Sequence, residues 1–338
     1  MRLSKARLQE CLASNVLHLI LMPTEACNFR CTYCYEDFKL KRMAPAVLRG
    51  VKNLLSARAS ELTQLDVGWF GGEPLLARDI IEDVMEHVRS LQREHPALRL
   101  RSDITTNAWH LTRPVFERLL ELGVGRFQVS FDGPREHHDT KRRLADGRGT
   151  FDRVWANVRA LRDVPGEFQI IVRVHVDRDN VGLVPRFLDE CRTAFGGDPR
   201  FEVYLRNLAR MGGPNDAALN VFEQGESDAE IRALEAYARE RDLAPYDAKT
   251  IAAICYASRA NSFLVRADGR LNKCTKVLEH PANQVGRLRE DGTLEISSEK
   301  MLRWMRGLRS AHPIELLCPM IGYAEPQPIA PRARAAAG

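Results

Sequence analysis

The stretch VLHLILMPTEACNFRCTYCYE, residues 16–36, decides how the rest of the chain is read. Its first seven residues are almost wholly apolar and stop at Pro23, the pattern of a short buried strand. A basic segment precedes them, as in a secretion signal. The apolar run is too short for one, however, and no small-residue cleavage site follows. Cys27, Cys31 and Cys34 come next, spaced C-x3-C-x2-C. The reading is therefore a strand that delivers three thiols in the loop at its end.

The whole chain supports a reducing environment. Eight cysteines in 338 residues are too sparse for a disulfide scaffold, and they cluster. Three lie at 27–34 and three more, Cys255, Cys274 and Cys318, near the end, while Cys11 and Cys191 stand alone. No segment approaches the roughly 18 apolar residues of a membrane span, so the expected location is the cytoplasm, away from membranes. A net charge of +5 tolerates an acidic partner without requiring one, and no nucleic-acid partner is expected.

Outward from the first strand, apolar runs at 65–70, 98–106, 126–131, 169–176 and 200–205 alternate with amphipathic stretches at 44–59, 78–94, 113–123, 150–163, 181–195 and 228–242. Six strand-then-helix units imply an α/β chain with a parallel sheet. Periodicity leaves open a doubly wound sheet or a barrel three-quarters closed. Either way, chemistry belongs on the loops at the C-terminal strand ends. Those loops hold the cysteines, Gly71-Gly72-Glu73-Pro74, Thr105-Thr106-Asn107 and Ser130-Phe131-Asp132-Gly133. Beyond residue 246, hairpins are expected to turn at Asp268-Gly269 and Asp291-Gly292, before a helix capped by Ser297 or Ser298. The expected division is an N-terminal extension (1–15), a barrel (16–245), a small α+β region (246–322) and a disordered tail (323–338).

Three thiolates in one loop admit three readings. Structural zinc takes four ligands, and the fourth would have to come from far away. A redox pair, Cys31 and Cys34, would leave Cys27 without purpose. An iron–sulfur cluster held by three cysteines keeps one iron open to something other than protein, and this reading is favoured. His137 and His138 invite a metal reading too, but surface or supporting roles are favoured.

The C-x3-C-x2-C loop, with Tyr33 before its last cysteine and Gly71-Gly72-Glu73 after the second strand, resembles the signature of the radical S-adenosylmethionine (SAM) superfamily. That resemblance implies a partial (β/α)6 TIM-like barrel with a [4Fe–4S] cluster at its mouth and SAM on the open iron. It implies reductive cleavage of SAM to a 5′-deoxyadenosyl radical, with an external flavodoxin- or ferredoxin-like reductant. It also assigns Cys27, Cys31 and Cys34 to the cluster. Tyr33, Gly71, Gly72, Glu73, Asn107, Ser130, Asp132 and Arg142 are placed near SAM: Glu73 on the methionine ammonium, Arg142 on its carboxylate, and the glycines allowing close approach of backbone to ligand.

The second cysteine set resembles the start of a SPASM or twitch region, the auxiliary-cluster extension of peptide-modifying members. Cys255 and Cys274 are spaced C-x13-G-x4-C, and Cys318 lies where a later ligand is expected. One auxiliary [4Fe–4S] cluster is implied. The dense cysteine run of a full SPASM domain is missing after Cys318, as truncation would leave it. Sulfatase-maturing relatives carry an Asp directly after the second auxiliary cysteine. Thr275 stands there, which disfavours formylglycine formation.

The implied function is a maturase that abstracts hydrogen from a ribosomally made precursor peptide, forming a cross-link, a thioether or an epimer. Only some fifteen residues precede the first strand, so leader recognition is expected to use the barrel, the C-terminal region or a separate leader-binding protein. The alternatives are a radical SAM enzyme acting on a small molecule and a non-catalytic iron–sulfur redox protein.

Overall fold

The computed structural model describes residues 5–223, 225–246 and 254–321; the expected tail at 323–338 lies outside them. A short helix α1 (Lys5–Glu10) precedes β1 (Val16–Leu21). Then follow α2 (Pro45–Arg58), β2 (Gln64–Trp69), α3 (Arg78–Glu94), β3 (Arg99–Thr106), α4 (Arg113–Glu121) and β4 (Arg126–Phe131). The chain continues through α5 (Arg135–Lys141), α6 (Phe151–Ala160), β5 (Gln169–Val176), α7 (Val184–Phe195), β6 (Phe201–Asn207), α8 (Ser227–Arg239) and the short β7 (Ala244–Pro245). Strands β1 to β6 are parallel and lie in sequence order, each hydrogen-bonded to the next. This is the sheet of the expected partial barrel.

Alternation along the strands separates two environments. Leu17, Leu19 and Leu21 of β1 are buried in the same core as Val51 and Leu55 of α2 and Ile81, Val84 and Val88 of α3. Each such side chain contributes about 1.5–3 kcal/mol by leaving water. The residues between them face the other way and are unusually polar: His18, Asp66, Asp103, Arg126, Gln169 and Tyr204 line one cavity of about 980 Å³. These polar residues share the cavity with apolar ones such as Leu100, Phe168 and Ile254, while Ile20 and Met22 form a small buried apolar cluster with Leu264 and Leu278.

Two features were not expected. The Arg135–Lys141 segment, assigned to no element in the sequence, is helical, with Pro134 pre-set just before its first turn. The region after residue 254 also does not make a separate sheet. Strand β8 (Ser262–Val265) pairs in parallel with β1, His18 opposite Ser262. Strands β9 (Arg270–Asn272), β10 (Gln284–Leu288) and β11 (Leu294–Ile296) then extend the sheet antiparallel, through the two expected turns. Without β8, β1 would be an edge strand with a row of unpaired backbone groups, and β8 covers it. The helix Ser298–Trp304 is capped by Ser297, whose hydroxyl accepts from the Lys300 amide.

Candidate active site

The cysteine loop is held from outside by the connection that follows α5. The Arg30 amide donates to Arg143 O at 2.7 Å, and the Thr32 amide to Lys141 O at 2.9 Å. Within the loop the Cys34 amide donates to Cys31 O at 3.1 Å, and Cys27 Sγ accepts from the Phe29 amide at 3.3 Å. Cys27, Cys31 and Cys34 all line one cavity of about 290 Å³ at the C-terminal strand ends. Tyr33, Gly71, Gly72, Asn107, Ser130 and Arg142 line it with them.

Two of the residues assigned near SAM lie behind this wall. Glu73 is fully buried and accepts from Thr106 Oγ1 at 2.6 Å and from the amides of Asn107 and Leu75 at 2.7 and 3.0 Å. Its carboxylate ties the loop after β2 to the end of β3, with burial raising its pKa against these bonds. Asp132 is likewise buried and faces its own chain. Gly71 and Gly72, which line the cavity, also have a packing duty. A Cβ on Gly71 would stand 2.3 Å from Thr24 O, and one on Gly72 2.5 Å from Ala26 O. What the pair permits is close packing of the β2 loop against the backbone leading to Cys27.

Behind the cavity sits a buried network. Tyr33 donates its hydroxyl to Asp132, 2.9 Å from Oδ2, and accepts from Arg142 Nη1 at 2.7 Å. His175 Nδ1 lies 3.0 Å from Asp132 Oδ1. Bonds and charge from His175, with Arg142 adding, overcome desolvation and hold Asp132 at a pKa of about 2. The Asn180 amide locks the ends of β4 and β5 together by donating to Asp132 O and His175 O at 3.0 and 2.8 Å. Asn180 and His175 were missed in the sequence. So were Arg173, Arg206 and Lys276, which also line the cavity. A signal existed: Arg173 and His175 are, with Gln169, the polar residues of QIIVRVHV, at even spacings and therefore on one face.

Among the described residues, His137 and His138 belong to no group of three or more His, Cys, Asp or Glu that could hold a metal ion. His138 is fully buried with Nε2 3.0 Å from Thr150 Oγ1, and burial lowers its pKa to about 3. Burial lowers His18 to about 4 in the same way. Both imidazoles are neutral in the folded state and protonate near pH 6.5 when unfolded. Their contribution is complete above pH 6.5 and is lost as pH falls toward 4, because only the unfolded chain takes up the protons. Urea midpoints should therefore fall between pH 7 and pH 5, on the order of 2 kcal/mol per histidine. A His138→Gln chain should show a shallower fall; an unchanged slope would remove His138 from the account.

The segments that carry the two cysteine sets are joined by a hydrogen bond. Tyr35, next to Cys34, donates its hydroxyl to Thr275 O, next to Cys274, at 3.1 Å. Burial pushes the Cys255 thiol up to about 11, with the charges of Cys274 and Cys318 adding. The three C-terminal thiols thus lie within electrostatic reach of one another. A buried ion pair joins the two halves: Arg266 Nε donates to Glu25 Oε1 at 3.0 Å, and both side chains are at most 2% exposed. Glu25 is two residues before Cys27.

The donor chemistry suits an iron–sulfur cluster. Burial pushes the Cys27, Cys31 and Cys34 thiols up, Cys34 to about 11. A metal that supplies positive charge would offset this and hold them as thiolates. Among the described residues no three His, Cys, Asp or Glu side chains converge as for a single ion. The ligands of a cubane sit on separate irons and need not meet at a point.

Residues 21–178 match the Radical SAM superfamily. The chain carries a radical SAM domain. It is 33% identical over 178 residues to GTP 3′,8-cyclase of Klebsiella pneumoniae (strain 342), covering 47% of this chain and 51% of that protein. It is 27% identical over 227 residues to PqqA peptide cyclase of Gluconobacter oxydans (strain 621H), covering 67% and 59%. The radical SAM chain thus spans about half the length of the curated relatives it matches. The solved structure of native anSMEcpe with bound AdoMet and Kp18Cys peptide superposes with a TM-score of 0.66. It is 20% identical, covers 87% of this chain and 82% of that one, and shows the fold in common. No helix among the described residues is long and apolar enough to cross a membrane.

Proposed function

We propose that this protein is a radical SAM enzyme that modifies a peptide. The observation that carries the reading is the opening of Cys27, Cys31 and Cys34 onto one cavity at the C-terminal strand ends, inside the radical SAM domain. Cys27, Cys31 and Cys34 would hold the [4Fe–4S] cluster, and Tyr33, Gly71, Gly72, Asn107, Ser130 and Arg142 would surround SAM. When bound, cluster and SAM together supply reductive cleavage of the sulfonium and a 5′-deoxyadenosyl radical that removes a hydrogen atom from substrate. The chain's own part is to orient and to exclude water. Glu73 fixes the loop that carries Gly71 and Gly72, while Asp132 and His175 fix the Tyr33 hydroxyl that receives Arg142. Electrons would come from a flavodoxin- or ferredoxin-like protein, and a separate leader-binding protein remains compatible with the reading.

A peptide substrate is supported by the PqqA peptide cyclase relative and by the peptide bound in anSMEcpe. A nucleotide is the second reading, favoured by the GTP 3′,8-cyclase relative. We assign Cys255, Cys274 and Cys318 to one auxiliary cluster in residues 246–322, joined to the barrel of residues 16–245. Anaerobic reconstitution, with iron counted and 5′-deoxyadenosine assayed after reduction with SAM, tests these assignments. About four irons per cluster are expected, so about eight for both. Iron bound without any 5′-deoxyadenosine would overturn the enzymatic reading.

A further inference from the structure

The cavity that holds Cys27, Cys31 and Cys34 is lined by four cationic side chains, Arg142, Arg173, Arg206 and Lys276, against one carboxylate, Glu36. Arg142 is engaged with Tyr33 and stands beside Cys31. The other three make no ion pair with a described residue. Arg173 is held in the wall of β5, its Nε is buried without a hydrogen-bond partner, and its guanidinium lies 5.8 Å from the Tyr204 ring. Arg206 stands beside it on β6, opposite His175 in the register. Lys276 faces both from the segment between β9 and β10, and it also lines the larger cavity inside the barrel.

Three cations brought together from two strands and the C-terminal region repel one another, and burying an unsatisfied guanidinium nitrogen costs stability. Arg206 and Lys276 are exposed and Arg173 is half-buried, so all three are open to an anion entering the cavity, which would relieve their repulsion and pair the guanidinium. We infer that Arg173, Arg206 and Lys276 form an anion-binding subsite for substrate, placed between the two cysteine sets. This rests on the enzymatic reading above, and with a peptide substrate the anion is an Asp or Glu side chain beside the residue that is modified. The same chemistry would receive the phosphates of a nucleotide, so the two sources must be separated by experiment.

The reconstituted full chain, with SAM, is panned against a random peptide pool beside an Arg173→Gln/Arg206→Gln double variant. Iron counted on the variant reports that it has folded. An Arg173→Lys/Arg206→Lys chain tests whether charge alone suffices. The expected result is enrichment of Asp or Glu at one fixed position by about tenfold or more, the scale of a charge-assisted pair. It should be lost in the glutamine variant and partly kept in the lysine one. Peptides selected without acidic preference, or with equal preference in the glutamine variant, would overturn the subsite and leave the peptide reading standing. If no peptide is selected but tripolyphosphate raises the melting temperature of the wild type and not of the variant, the subsite stands and the substrate is a nucleotide. If neither probe binds, both inferences fail.

Discussion

Replacing Cys27, Cys31 and Cys34 together with alanine should leave a folded chain that makes no 5′-deoxyadenosine and has lost about four irons. The fold should survive because the loop is held by main-chain bonds from Arg30 and Thr32 to the segment at 141–143. Those bonds do not depend on sulfur. The iron count also decides the fate of the second set. A fall from about eight to about four leaves a cluster on Cys255, Cys274 and Cys318, whereas a fall from about four to none means that those thiols hold no iron. Product formation that persists in the triple variant would sink the assignment of the loop. Circular dichroism on the same sample separates loss of site from loss of fold.

The second large effect concerns stability. Arg266→Met should destabilise the chain by about 3–5 kcal/mol, the usual result of removing one partner from a buried ion pair. Glu25 would keep its charge in a position 2% exposed, with its counter-ion gone. Arg266 also binds Glu279 and Leu278 O, so the loss extends into the segment after Cys274. Adding Glu25→Gln to Arg266→Met should restore part of the loss, since the stranded charge disappears. Urea unfolding of the single and double variants measures both numbers. A cost below about 1 kcal/mol would mean that water reaches the pair and that it does not lock the cysteine loop.

The sequence carried most of what is local. The six parallel strands and their helices were legible to within a few residues, because apolar runs of period two and stripes of period 3.6 are short-range signals. Gly71 and Gly72 were legible as special, but their reason was not: the clash they avoid is with Thr24 and Ala26, and no local pattern reveals which backbone lies opposite. Glu73 was legible only in part, for a related cause. Its carboxylate was read only as facing a ligand, and the three donors of its own chain that hold it come from residues the local pattern does not name. The pairing of β8 with β1 could not be read, since its partners are 244 residues apart and neither strand names the other. The cationic subsite fell between these cases. Arg173 and His175 were visible as polar residues on one face, whereas their meeting with Lys276 depends on that distant pairing.

The β1–β8 pairing has a consequence for how the protein is made. Glu25 meets its buried counter-ion only after Arg266 has left the ribosome, and β1 keeps an open edge until residues 262–265 arrive. Contacts of such long sequence separation form slowly and late. A nascent chain therefore carries its first three thiols, on a loop still unlocked at one end, through synthesis of the whole barrel. Until residues 262–265 dock, such a chain presents a bare strand edge and oxidisable thiols together.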